Sequence, residues 1–450
     1  MRRPVSPRRP AGRPAPPAAR PEPAPLPAPV LARLARTRSV PGDLALLLSA
    51  LHGRRLVLLK SLLTRLEEPA AAPGGARARF EEHWLLLERA EVRRPHLAGW
   101  ALDYPPVGIW LAHALTAPDG AELARALEHF GAVSAAVALT SGTDFTLDLP
   151  APDGTLALPG IGTLTTRSPR LRLTARGPLA RLREPGGPTR AVLLRSGGRV
   201  TGAGPGWHGL MRLPGSTARL DDLDPYRTPP AGVGRAALPP ADHGAHRDWP
   251  RLWRSALALL RDADPVRAAE VTALLRCLVP LVPRDGGAGA SATFRAAPGA
   301  VLATPPGTAA ALAEVLVHET QHSKLAVLHD LAPLHRASAA PRHRVPWRPD
   351  PRPLGGVLQG TYAHLALADF WSRAARRPHL APRARHGARA RRDSYLRQVA
   401  QALPVLLESA ELTAVGRQFA AAMERHRACL EQPDERVTRI DTLSRDGDVG

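Results

Sequence analysis

Apolar residues recur every three or four positions over most of this chain, which is the spacing of one face of an α-helix. The pattern begins at Asp43 in a leucine-rich stretch and returns from about Trp249. Between these regions, short stretches alternate apolar and polar residues and are separated by Gly, Pro and Asp, as is typical of an antiparallel β-meander. The pattern therefore predicts a mainly α-helical α+β fold with a β-meander insertion.

The same pattern divides the chain into five parts. Residues 1–42 are rich in Pro and Arg and have no period that could be buried, so they predict a disordered tail. Helical spacing covers residues 43–134, and the β-rich region covers 135–228. A second helical region is expected over 229–430, followed by a loose C-terminal tail over 431–450.

The second helical region contains a pattern that suits a metal ion. A helix predicted over residues 308–334 carries His-Glu-Thr-Gln-His at positions 318–322. Because a helix turns about 100° per residue, His318 and His322 lie on one face and can share a metal. In a hydrolase Glu319 would act as the general base. We therefore expect a metal-dependent enzyme.

Two histidines need at least one further ligand. The longer zinc-protease motif would place glycine and histidine where this chain has Leu325 and Leu328, and a second helix predicted over 357–377 contains no glutamate. That helix does contain His364 and Asp369, which lie about 140° apart, so only one is expected to face the metal. We favour His364 because small residues around it allow helices to approach closely. Asp369 would instead complete a two-histidine-one-carboxylate set.

Composition restricts the classes of protein to which this chain can belong. The formal net charge is +21, but 61 basic residues include only two lysines, Lys60 and Lys324, which indicates a general bias towards arginine. No nucleic-acid motif is present, so no nucleic-acid partner is expected. No apolar stretch has the length of a membrane span, and the N-terminus lacks the hydrophobic part of a secretory signal. With only Cys277 and Cys429, a cytoplasmic protein without a membrane partner is expected.

Three phrases follow one another in the second helical region. They are His-Glu-Thr-Gln-His-Ser-Lys-Leu at 318–325, Pro-Trp-Arg-Pro-Asp-Pro-Arg-Pro-Leu-Gly-Gly at 346–356 and Gln-Gly-Thr-Tyr-Ala-His at 359–364. In this order they resemble the HExxH-motif peptide-modification proteins, which occur with ribosomally made, post-translationally modified peptides. The resemblance extends to Leu-Asp-Asp-Leu-Asp-Pro-Tyr-Arg at 220–227 and covers most of residues 43–430.

The resemblance implies an Fe(II)- and 2-oxoglutarate-dependent dioxygenase that hydroxylates the β-carbon of a residue in a precursor peptide. Its partners would be that peptide and, as an open point, other peptide-modifying enzymes. Such an enzyme needs a cation for the distal carboxylate of 2-oxoglutarate, and Arg352 and Arg348 precede the second helix. Glu319 would then be a carboxylate that orients a ligand or handles protons. Lys324 points about 200° away from His322 on an ideal helix, which indicates a structural or surface role.

Two other functions remain open from the sequence. A zinc metallopeptidase that acts on a precursor peptide or its leader would use the same histidines with Glu319 as base. A peptide-binding adaptor with a vestigial site would keep its affinity for peptide without the metal. The third metal ligand, His364 or Asp369, also stays open at this point.

Overall fold

The computed structural model describes residues 26–68, 71–72, 74–229, 248–283, 289–336, 339–378 and 380–432. Within these residues it contains twelve α-helices and fifteen β-strands, and it confirms the mainly helical α+β fold with a β-meander. Most of the predicted N-terminal and C-terminal tails lies outside the described residues. No helix in the described part of the chain has the length and hydropathy needed to cross a membrane.

Six helices form the N-terminal part. They are α1 (Ala28–Ala35), α2 (Pro41–Arg65), α3 (Ala76–Arg93), α4 (Pro95–Leu102), α5 (Pro105–Thr116) and α6 (Ala121–Ser141). Proline occupies the first position of α2, α4 and α5, where its missing N–H is not needed. The tail predicted over residues 1–42 is wrong in its last part, because Leu31 and Leu34 of α1 are buried in a hydrophobic core.

The β-rich region follows α6. Its strands are β1 (Phe145–Pro150), β2 (Thr155–Leu158), β3 (Gly162–Thr165), β4 (Arg170–Arg176), β5 (Leu179–Arg183), β6 (Thr189–Ser196), β7 (Arg199–Ala203) and β8 (Trp207–Gly209). An antiparallel sheet has the order β1-β4-β5-β6-β7, and a smaller one has the order β2-β3-β8. Leu171, Leu173 and Ala175 alternate with exposed residues along β4 and face the core. The region begins ten residues later than predicted, because α6 continues to Ser141.

A mixed sheet and two helices come next. The elements are β9 (Met211–Arg212), β10 (Arg219–Leu220), α7 (Trp249–Ala263), α8 (Pro265–Leu274), β11 (Cys277–Pro280), β12 (Ser291–Ala292) and β13 (Ala300–Ala303). The sheet order is β12-β13-β11-β10-β9, so β12 is an edge strand that pairs only with β13 in the described part of the chain. The region predicted as helical over 229–430 therefore also contains a sheet, in which β11 runs parallel to β10 and β13.

The remaining elements surround the histidine-bearing helix. They are α9 (Ala309–Leu331), β14 (His343–Val345), β15 (Arg348–Arg352), α10 (Leu354–Ala375), α11 (Pro382–Leu407) and α12 (Ala414–Glu431). The side chain of Thr308 accepts a hydrogen bond from the amide of Ala311 and caps α9, as its sequence predicts. Helix α9 contacts α2, α7, α8, α10 and β13, so it lies at the centre of this half of the molecule.

Candidate metal centre

The two histidines of the pentapeptide face each other one turn apart on α9. The Nε2 atoms of His318 and His322 are 2.9 Å apart, and their rings meet edge to face. Two nitrogens bound to one metal at about 2.0–2.1 Å lie about 2.9–3.4 Å apart for bond angles of about 90–110°. The observed separation fits a shared metal, and the Nδ1 atom of His322 is buried without a hydrogen-bond partner.

His364 of α10 lies beside this pair. Its ring centroid is 5.5 Å from that of His318, and its Nδ1 atom is buried without a hydrogen-bond partner. Trp347, from the turn between β14 and β15, packs edge-on against His364 with 4.6 Å between the ring centroids. In the described part of the chain, no three His, Cys, Asp or Glu side chains already stand in the geometry of a metal site. The role of His364 as third ligand therefore stays a prediction.

Burial keeps all three imidazoles uncharged. Desolvation lowers the pKa of His318, and it lowers that of His322 further with the help of the neighbouring rings. Burial, with a smaller contribution from His318, lowers the pKa of His364 to about 3. Neutral imidazole is the form that binds a metal ion.

Glu319 contacts the edge strand β12 through its carboxylate. Its Oε1 atom accepts a hydrogen bond of 2.6 Å from the hydroxyl of Ser291, and its Oε2 atom is buried without a hydrogen-bond partner. The carboxylate therefore has one oxygen fixed by the protein and one available to another group. Such an arrangement suits a residue that orients a bound molecule or exchanges a proton with it.

Asp369 and Lys324 belong to a buried ionic network behind the histidines. Asp369 accepts a hydrogen bond of 2.7 Å from Arg38 and lies 3.3 Å from Arg267. The ammonium group of Lys324 lies 3.0 Å from Glu270, and only 1% of its side chain is exposed. The surface role that the sequence left open for Lys324 is therefore wrong, and its structural role is confirmed.

The two arginines predicted to bind 2-oxoglutarate lie on the hairpin of β14 and β15. Arg348 and Arg352 both pair with Asp350, at 3.0 and 3.4 Å, and their side chains are 52% and 35% exposed. Neither is among the described residues that line the cavity beside the histidines. Both arginines therefore lie on this hairpin and outside the described lining of that cavity.

A cavity of about 380 Å³ opens beside His318 and His364. Its wall includes Glu314 and Tyr395, which the sequence analysis did not single out. Glu314 accepts hydrogen bonds from the indole of Trp371, at 2.7 Å, and from the hydroxyl of Tyr395, at 3.2 Å. Glu314 precedes His318 by four residues, so helical spacing alone could have placed it on the metal face. Tyr395 comes from α11 and carries no comparable signal.

No protein-family model and no curated protein sequence matches this chain. The motif resemblance described above is therefore a prediction, and the functional argument depends on the geometry of the site.

Proposed function

We propose that this protein is an Fe(II)- and 2-oxoglutarate-dependent dioxygenase that hydroxylates the β-carbon of a residue in a ribosomally synthesised precursor peptide. The observation that carries the proposal is the His318–His322 pair, whose Nε2 atoms stand 2.9 Å apart, with His318 in the wall of a cavity. The order of the three phrases around this pair supports the choice of oxygenase chemistry. Open cavity space beside the pair suits an enzyme whose metal must also bind a cosubstrate.

In this proposal His318, His322 and His364 would hold the iron. Bound iron and 2-oxoglutarate would supply the oxidising chemistry that replaces a C–H bond by C–OH, with O₂ consumed and 2-oxoglutarate converted to succinate and CO₂. The protein's own residues would bind and orient these groups. Trp347 and Tyr395 pack against the ring of His364 and hold its orientation, with centroid distances of 4.6 and 5.4 Å.

Two further groups are proposed to act on the ligands. Glu319, held by Ser291, would orient a bound molecule through its second oxygen. Of the two arginines predicted for the distal carboxylate of 2-oxoglutarate, Arg352 is the less exposed and lies against the first turn of α10 at Gly356. Arg352 is therefore the stronger candidate, and Arg348 would support it from the same hairpin. Both would exchange Asp350 for the ligand's carboxylate.

A zinc metallopeptidase acting on a precursor peptide or leader is the second candidate. The observation that favours it is the unpartnered Oε2 atom of Glu319, which a general base needs for taking a proton from water.

We further propose that either enzyme works in a reducing cytoplasm, since both Cys277 and Cys429 are free thiols.

The test is to purify the protein anaerobically, measure its metal content and incubate it with Fe(II), 2-oxoglutarate and a precursor peptide encoded beside its gene. We expect succinate and a mass gain of about one oxygen atom in the peptide. His318→Ala and His322→Ala should abolish both products and bound metal while the fold is kept, because neither ring contributes to the hydrophobic core. His208→Ala, on an exposed part of β8, is the matched control.

Three results would contradict the proposal. Bound zinc with peptide cleavage and no succinate would show the metallopeptidase. Full metal occupancy in either histidine variant would show that the metal lies elsewhere. Tight peptide binding that survives loss of both histidines and of the metal, without any product, would show an adaptor.

A further inference from the structure

Between Ala311 and His329, one stripe of α9 is partly exposed to solvent while the other residues of this part of the helix are buried. The residues of this stripe recur at spacings of three, four and seven, so they lie on one face. Ala311 and His329 at its two ends are eighteen residues apart, which corresponds to about 27 Å along the axis. From Ala311 to His329, the part-exposed residues are Ala311, Glu314, Val315, His318, His322 and His329.

Two cavities lie along this stripe, one on each side of His322. The cavity at the metal pair is bounded by Ser291 on one side and His364 on the other. The second cavity, of about 410 Å³, is bounded by Arg295 and by the first turns of α10. The segment 289–295 therefore runs along both cavities on one side, and α10 runs along both on the other. The two cavities would then be the two ends of one groove over α9, with the histidine pair between them and the buried Leu325 and Ala326 next to His329.

The second cavity has the chemistry of an anion site. His329 and His335 line it with ring centroids 4.6 Å apart, and burial lowers the pKa of both, so they are neutral donors or acceptors. Arg295 stands at the rim with 59% of its side chain exposed. Asp330 pairs with Arg295 and also with Arg54, at 3.0 Å, so two arginines share one carboxylate and positive charge is left over.

We propose that the second cavity is a specificity subsite for an acidic side chain of the substrate peptide, bound in extended form along the groove. His322 and His329 are seven residues apart on α9, about 10.5 Å along the axis. An extended peptide advances about 3.3 Å per residue, so the acidic residue lies about three positions from the reacting one. Arg295 provides the charge and His329 a hydrogen bond. This inference rests on the proposed peptide chemistry at the metal pair.

The experiment measures binding to the zinc-loaded protein by fluorescence anisotropy. The probes are short fluorescein-labelled alanine-serine peptides with a hydroxamate at either end as a metal anchor, and a single glutamate one, three or five residues from it. In a matched series, glutamine replaces the glutamate. We expect the peptide with glutamate at the third position to bind about tenfold more tightly than its glutamine partner, as for a charge-assisted hydrogen bond.

Substitutions in the protein show which side chain causes the preference for glutamate. Arg295→Gln should remove it, Arg295→Lys should keep part of it, and Arg251→Gln, whose side chain is 79% exposed on α7, should leave it unchanged. Hydroxamate binding without any preference for glutamate overturns the subsite, and succinate formation measured separately then still decides the reaction. A preference for glutamate at the third position without succinate formation supports the subsite and contradicts the dioxygenase. Hydroxamate binding that is as tight in His322→Ala as in the unchanged protein overturns both.

Discussion

His364 and Asp369 lie on the same helix in different surroundings, and this difference favours His364 as the predicted ligand. The ring of His364 lies 5.5 Å from that of His318, and its buried Nδ1 atom has no hydrogen-bond partner. Asp369 is held by Arg38 and Arg267, and the charges of these arginines keep its pKa below the ordinary value although burial raises it. A carboxylate held in this way would have to give up its ion pairs with both arginines in order to bind a metal, and each arginine would keep only one carboxylate partner, Asp264 or Glu270.

We therefore predict opposite results for two variants. His364→Ala should weaken metal binding at least about tenfold, because it removes a ligand or its immediate neighbour. Asp369→Asn should keep the metal affinity but reduce the free energy of unfolding by about 3–5 kcal/mol, because Arg38 and Arg267 lose a charged partner. Metal titration of both apo-proteins, with thermal unfolding of the same samples, measures the two effects. Normal affinity in His364→Ala combined with lost affinity in Asp369→Asn would make Asp369 the ligand.

The sequence could predict the parts of the site that depend on local spacing. His318, Glu319 and His322 follow from a helical period, and the same period also places Glu314. It could not predict Tyr395 or Ser291, since their approach to α9 depends on how distant elements pack.

At the level of elements, Lys324 ties α9 to the segments that pack behind it. Its ammonium group donates to the backbone oxygen of Thr37 and to Glu270 of α8, both at 3.0 Å. Glu270 in turn accepts a hydrogen bond from Arg267 at 2.6 Å. Because Lys324 is two residues from His322, this network also fixes the rotation of the metal-binding face.

Lys324→Met should lower the free energy of unfolding by about 3 kcal/mol or more, because Glu270 loses one of its two buried cations. In the double variant Lys324→Met/Glu270→Gln, the free energy of unfolding should fall by less than the sum of the falls in the two single variants, since no unpaired charge is left at this position. Urea unfolding of all three measures the coupling. Lys60→Met is the matched control because Lys60 is the other lysine of the chain and is exposed. If Lys60→Met and Lys324→Met lower the free energy of unfolding by the same small amount, the role assigned to the network is contradicted.

Helices with a clear apolar stripe were predictable as elements, and α9 and α10 lie within a few residues of the predicted bounds. Two kinds of error have a physical cause. The strand Cys277–Pro280 could not be told from a helix in the sequence, because a short apolar run that is buried on both sides has no distinguishing period. The hairpin of β14 and β15 has no strand pattern in the sequence, because three prolines in it obscure that pattern.

On the scale of the whole molecule, the hydrophobic cores extend across the boundaries of the five parts predicted from the sequence. One hydrophobic cluster joins the N-terminal helices to the β-meander, and a second joins α1 to α9, α10, α11 and α12. Helix α2 contributes Leu47 and Leu51 to the second cluster and Leu59 and Leu62 to the first. Sequence patterns show which residues are apolar, but they do not show which of the apolar faces meet.

Residues 26–40 close the second core, although the sequence predicted them as part of a disordered tail. Leu31 and Leu34 are buried, and the backbone oxygen of Leu34 accepts a hydrogen bond of 2.6 Å from Tyr362 of α10. Arg38 bridges Asp264 and Asp369, at 2.8 and 2.7 Å. The segment thus contributes apolar side chains to the core and an arginine to the ionic network.

The contribution of residues 26–40 can be tested with two truncated proteins, one that begins at Leu26 and one that begins at Pro41. The shorter protein should unfold at a clearly lower temperature and bind metal more weakly, because it exposes apolar surface on α10 and leaves Asp264 and Asp369 without Arg38. In the longer protein, Arg38→Met should reproduce the ionic part of this loss, about 3–5 kcal/mol, while Arg251→Met on the exposed face of α7 should have little effect. Calorimetry with and without added metal separates stability from binding, since a metal that binds only the folded state raises the melting temperature. Equal melting temperatures for the two truncations would show that residues 26–40 do not stabilise the core against which they pack.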